Sequence, residues 1–202
     1  MIVINLFGEP GAGKSTAATY IFAMLKMQGI KCEYVSEFAK DMVWDEDFKA
    51  LENQPYVFGC QSYRLSRIAN EVDVAITDCP LLLSAVYNRD PIFIANTALH
   101  EDFKKLVVSI FKSYDNINVL LDRQHEYEDI GRHESEEEAL EVRKMLCRAF
   151  NKYDVAYEEY PAQLEAYDKI VNLAVERLKE INISRNETVN KTEKRRINHF
   201  KE

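Results

Sequence analysis

The chain has 202 residues, 47% of them hydrophobic, with a formal net charge of -8 and a pI near 5.2. That is enough apolar material for one good core, and most simply for a single domain. The acidic balance argues against a protein that grips nucleic acid by bulk electrostatics, and no run approaches the ~18 apolar residues of a membrane span.

Met1 leads straight into an apolar stretch rather than a signal peptide, so a soluble protein of the cytoplasm, with no membrane partner, is expected. Cys32, Cys60, Cys79 and Cys147 have neither C-x-x-C spacing nor paired histidines. They read as free thiols in a reducing compartment, the alternatives being a zinc site or a disulfide framework.

In chain order, residues 2–7 form an apolar run that predicts a first strand. It opens directly into residues 8–15, Gly-Glu-Pro-Gly-Ala-Gly-Lys-Ser, which fit G-x-x-x-x-G-K-[ST] at every position. Glycines let the backbone wrap so that successive N-H groups face phosphate oxygens. Lys14 adds a mobile positive charge for β- and γ-phosphates, and the Ser15 hydroxyl is placed to ligate Mg²⁺. Ala18, Ile21, Phe22 and Leu25 then recur at helical spacing, predicting a helix over 16–28 whose amino end adds its dipole to the anion site. The expected nucleotide-contacting set is Gly8, Gly11, Ala12, Gly13, Lys14, Ser15 and Thr16.

Residues 31–35 read as a second strand ending in Ser36-Glu37, and 38–48 as an irregular helix. Residues 56–70 predict a helix carrying Gln61, Arg64 and Arg67. Residues 72–77 predict a third strand that ends in Asp78-Cys79-Pro80, where proline stops the ladder. Helices are expected over 81–87 and 99–114, around a poorly patterned segment at 88–98. Residues 116–121 predict a fourth strand closing with Asp122-Arg123. A polar stretch to residue 135, holding Gly131-Arg132, precedes a charged amphipathic helix over 136–151, a fifth strand over 155–160 and a helix over 162–181. From 182 to 202 the apolar period vanishes and a solvated, flexible tail is expected.

Strands alternating with helices predict a parallel sheet wound on both faces, with ligands at the carboxyl ends of the strands. That rule selects Glu37, Asp78 and Arg123 beside the loop. Asp78 stands where it could hold Mg²⁺, or cap the following helix. Glu37 stands where a base could take a proton from an acceptor hydroxyl, although an acidic residue in a first helical turn is also ordinary dipole chemistry. Arg123 and Arg132 would bring positive charge over a transferred phosphoryl group from a closing lid at about 123–135. Arg143, beside that segment, is a further candidate for the same role, although on a Glu-rich helix it also reads as surface charge. The amide of Gln61 suits a nucleobase edge, with Arg67 nearby on the acceptor side.

Together these residues resemble the P-loop kinases of small nucleosides and nucleotides, from the loop through Ser36-Glu37, Phe58 to Arg67, Asp78-Cys79-Pro80 and the lid, to about residue 179. The resemblance implies a three-layer P-loop NTPase fold: a five-stranded parallel sheet with helices on both faces, the kinase domain spanning 1–181. In the deoxynucleoside kinases, a segment like 58–67 has a glutamine that reads the base and an arginine that assists, and Glu37 falls at the position of their general base. The chain is also similar to nicotinamide riboside kinases and to small phage-encoded ATP-binding proteins labelled AAA-type ATPases, among whose relatives are kinases of hydroxymethyl pyrimidines in DNA. It departs from these patterns too: Asp78-Cys79-Pro80 stands in place of a Glu/Asp-Arg-Ser motif, and no Arg-x-x-Gly sensor is present, which argues against an AAA motor.

The implied cofactors are ATP and Mg²⁺. The implied substrate is a nucleoside, nucleotide or modified base, with DNA as an alternative acceptor and a partner-binding regulatory ATPase as the reading from another class. A homodimer is among the arrangements the sequence leaves open.

Overall fold

The computed structural model describes residues 1–87, 90–124 and 136–199, with the backbone alone described for 136–140 and 185–199. The first strand, β1 (Ile2–Phe7), is buried at every position, as a strand covered on both faces must be. It is followed by α1 (Lys14–Met27), β2 (Cys32–Val35), α2 (Phe38–Trp44), α3 (Phe48–Glu52), α4 (Gln54–Ser66) and β3 (Val74–Thr77). The second half comprises α5 (Leu83–Val86), α6 (Pro91–Ala95), α7 (Thr97–Lys112), β4 (Asp115–Asp122), α8 (Glu136–Tyr153), β5 (Glu158–Pro161) and α9 (Leu164–His199).

All pairings are parallel, and the strands lie in the order β2-β3-β1-β4-β5. Odd positions of β1 face one layer, where Phe7 meets the ring of Phe150 edge-on at 4.9 Å among side chains of α4, α7 and α8. Even positions, Ile2, Ile4 and Leu6, face α1 and α9. This is the three-layer P-loop NTPase α/β fold that the alternation of strands and helices predicts. The decisive detail for the site is adjacency. Because β3 pairs with β1 and β2 with β3, the ends of three neighbouring strands converge on one loop.

Several elements differ from the sequence expectation. The helix expected over 38–48 breaks after Trp44, where Glu46 takes a left-handed φ of 56° and the Asp47 carboxylate caps α3 by accepting from the Ala50 N-H at 3.0 Å. The unpatterned segment contains α6, started by Asp90, whose carboxylate accepts from the Ile92 N-H at 2.9 Å with Pro91 in the first turn. The helix expected over 81–87 shrinks to one turn. Strand β5 begins only at Glu158, the first residue in register with β4. The last helix continues past residue 181 to His199, through the stretch expected to be a tail.

Candidate functional site

At Gly8 the chain leaves β1 with φ 151°, and a Cβ there would lie 2.8 Å from that of Ala12 and 3.1 Å from the Leu121 carbonyl oxygen. Only glycine fits both the angle and the space. The loop closes at Gly13, which takes φ 79° as the N-cap of α1. From the first turn of α1, Lys14 turns back and donates from Nζ to the carbonyl oxygens of Gly8 and Glu9, each at 3.0 Å. Burial pushes its ammonium below the ordinary value of 10.5, and the charges of Glu37, Asp78, Cys79 and Glu9 oppose that shift. The sequence-predicted Glu37 and Asp78 are thus electrostatic neighbours of the loop lysine.

Asp78, one residue beyond β3, is buried at 4% exposure. Its Oδ2 accepts from the Ser15 hydroxyl at 2.5 Å and from the Tyr34 hydroxyl at 2.8 Å, while Oδ1 is buried and takes no hydrogen bond among the described residues. The helix-cap alternative is not what Asp78 does here: Leu82 occupies the N-cap of α5. Burial first, and then the Asp78 carboxylate, push the Tyr34 phenol up, so Tyr34 remains a donor. The pair fits a divalent cation, since a hydroxyl sits beside a carboxylate with one oxygen unspent. No cluster of three or more His, Cys, Asp and Glu occurs among the described residues. One carboxylate and one hydroxyl, completed by phosphate and water, is the donor set that Mg²⁺ accepts.

Glu37 is the N-cap of α2 in extended conformation, and its side chain makes no capping bond. The turn around it is fixed from α4. Gln61 is buried at 3% exposure, its Oε1 accepting from the Phe38 N-H at 2.9 Å and its Nε2 donating to the Ser36 carbonyl at 3.3 Å. This corrects the expectation for Gln61: its amide is occupied with backbone and holds the Glu37 turn, leaving no free edge for a nucleobase. The expectation for Arg67 also changes. Arg67 is exposed at the carboxyl end of α4, whereas Arg64, one turn earlier, bonds the Ser36 carbonyl and hydroxyl at 3.2 Å each, pairs with Asp41 and lies over the Phe38 ring. At the far end of α2, Trp44 is exposed.

Cys79 gains nothing nucleophilic from this setting, because burial and the charges of Glu37 and Asp78 push its thiol well above the ordinary range. Arg123 reaches the loop from the end of β4, with Nε 4.0 Å from Glu9 Oε1. Arg132 and the lid residues 125–135 lie outside the described residues. Arg143, left open between charge for the phosphoryl group and surface charge, is turned toward the loop. It donates from Nη1 to the Leu121 carbonyl at 3.2 Å and from Nη2 to Glu159 at 3.0 Å, and Nη1 lies 3.6 Å from Glu9 Oε2. Sequence reasoning could not decide between the two for lack of any local signal, since every partner is distant in the chain.

A glycine-lined loop at a helix amino end, with a buried lysine and a Ser-Asp pair beside it, defines a P-loop nucleotide-binding protein. A family model described as an AAA domain matches residues 3–193, and the chain belongs to that family. No curated protein matches the chain. Among the described residues, no helix is long and apolar enough to cross a membrane.

Proposed function

We propose that this protein is an ATP- and Mg²⁺-dependent kinase that moves the γ-phosphate to a hydroxyl group of a free nucleoside, nucleotide or modified nucleobase. The observation that carries the proposal is the convergence of Glu37 with Lys14 and Asp78, which the order β2-β3-β1 enforces. In this reading the loop N-H groups and Lys14 hold the β- and γ-phosphates, and Ser15 with the unspent Asp78 oxygen holds Mg²⁺, which when bound neutralises phosphate charge. Glu37, at the amino end of α2, takes the acceptor proton as the hydroxyl attacks. Gln61 and Arg64 fix the turn that aims it. Arg123 and Arg143 bring positive charge to the loop from the other side, and Arg132 is proposed to act with them.

A small acceptor is favoured over DNA by the state of the basic residues that might have formed a path for a polymer. Of Lys104, Lys105, Lys112, Arg143, Lys144 and Arg148, all but Lys112 are paired with carboxylates, so the described residues offer little uncompensated charge there. The test is ADP release from ATP and Mg²⁺ against deoxynucleosides, their monophosphates, nicotinamide riboside, and DNA with and without hydroxymethyl pyrimidines. One free acceptor is expected to raise the rate by about a hundredfold or more over hydrolysis to water. A slow rate that no acceptor changes would overturn the kinase reading in favour of a regulatory ATPase.

A further inference from the structure

A carboxylate inside a phosphate-binding loop is an electrostatic anomaly, because it repels the ligand the loop is built to hold. Glu9 is such a group. It is 3% exposed, its backbone carbonyl accepts from Lys14 Nζ at 3.0 Å, and its Oε2 takes no hydrogen bond among the described residues. Its side chain instead lies between two guanidinium groups from separate elements, Arg123 after β4 and Arg143 on α8, at 4.0 and 3.6 Å. Both approaches are too long for hydrogen bonds and short enough for strong Coulomb attraction in a buried setting.

Arg143 is held further by Glu159 at 3.0 Å, by the Leu121 carbonyl at 3.2 Å, and by Asp122 at 3.7 Å. Leu121 is also the residue whose carbonyl crowds Gly8. The loop backbone, the end of β4 and the Arg143 guanidinium are therefore built against one another, and Glu9 is the charge at their centre. A removable ligand charge would not need such fixed surroundings. A part that holds two arginines beside the Lys14 ammonium would.

We propose that Glu9 is a positioning residue: its carboxylate fixes Arg123 and Arg143 beside the loop, where they meet the terminal phosphate of a nucleoside triphosphate and so set the preference for ATP over ADP. This rests on the reading that ATP occupies the loop, but not on transfer to any acceptor. Loss of the carboxylate removes the charge that draws both guanidinium groups toward the loop, leaving Arg143 to Glu159, Asp122 and the Leu121 carbonyl. The γ-phosphate then loses its partners, while the α- and β-phosphates keep the loop N-H groups and Lys14.

The test is direct binding of ATP and of ADP, each with Mg²⁺, by calorimetry on the full chain, with thermal melting to establish that each variant is folded. The wild type is expected to hold ATP more tightly than ADP. Glu9→Gln is expected to cut that ratio about tenfold, with ADP affinity unchanged to within about twofold. Arg143→Gln should cut the ratio by less, and the double variant by no more than Glu9→Gln alone, because Glu9 acts through both arginines. Glu9→Asp, which keeps the charge, should retain most of the ratio. Additive effects, equal loss of ATP and ADP, or tighter ATP binding by Glu9→Gln would overturn the proposal, the last showing that the carboxylate only repels phosphate. Should Glu9→Gln not fold, an unchanged ratio in Arg143→Gln overturns it equally. Because no acceptor is present, a negative result here leaves the kinase assay to stand or fall separately.

Discussion

Asn5 within the sheet and the acidic residues Glu9 and Asp78 beyond its carboxyl end are all buried, but their hydrogen bonding differs. At mid-strand, Asn5 of β1 donates from Nδ2 to the side-chain oxygens of the half-buried Asn116 and Asn118 on β4, at 2.8 and 3.1 Å. Asn116 and Asn118 in turn donate to the carbonyls of Phe111 and Ala156. At the carboxyl end, Glu9 and Asp78 each keep a buried oxygen that takes no hydrogen bond among the described residues. A satisfied amide ladder specifies strand register and asks nothing more of its surroundings. A buried carboxylate oxygen left over has a desolvation cost that folding alone does not explain, and it marks the end of the sheet where binding and chemistry are placed.

Changes beyond the carboxyl end should therefore damage function and spare the fold, and changes at the mid-strand asparagines the reverse. The largest effect is expected for Glu37→Gln, which should lower phosphotransfer by about a hundredfold to ten-thousandfold while ATP affinity holds steady. Steady-state rates beside calorimetric binding check this, and full activity would remove Glu37 as the base. Asp78→Asn should cost about a hundredfold or more in Mg²⁺-dependent rate, yet leave the melting temperature unchanged or raised, since it deletes a buried charge with an unspent oxygen. A large drop in melting temperature would place Asp78 with the structural residues and break the comparison.

Asn5→Leu should do the opposite. It strips the donor from two half-buried amide oxygens and should cost about 1 kcal/mol of stability by denaturant titration, with nucleotide affinity intact in the folded fraction. The smallest effect is expected from pH. Lys14 has a folded value lowered below 10.5, so its ammonium is lost earlier than that of an exposed lysine as pH rises. Between the lowered value and 10.5 the unfolded chain binds more protons than the folded one, so the unliganded fold gains stability with rising pH. Nucleotide affinity should decline over the same interval, and an affinity flat up to 10.5 would contradict the burial of that ammonium.

Much of this was legible in the sequence because parallel strands buried on both faces are near-continuous apolar runs, and residues 2–7, broken only by Asn5, are such a run. Glu37 and Asp78, just past the strands at 31–35 and 72–77, then stand out by position. Strand order was not legible, since nothing in a run of Val and Ile states its neighbour. Arg143 was hidden for a related reason: a helix with Glu141 and Lys144 around it has the pattern of a solvated face, and the carboxylates that claim the arginine are Glu9 and Glu159, from other elements. Gln61 was misread because side-chain chemistry alone cannot distinguish an amide that reads a base from one that holds a backbone turn. The last helix was ended too soon because an apolar period was required, whereas backbone helicity in a stretch rich in Glu, Lys and Arg needs none.

Trp44 gives the molecule a built-in optical reporter. It is the one tryptophan in the chain, 69% exposed, and it ends the short helix that begins beside Glu37. Emission excited at the red edge therefore comes from a single place, the exposed end of α2. A molecule settling against α2 should shift that emission, while nucleotide filling the loop alone should leave it nearly still. Titration of unlabelled protein thus separates the two binding events by colour, and a library of acceptors can be ranked before any turnover is measured.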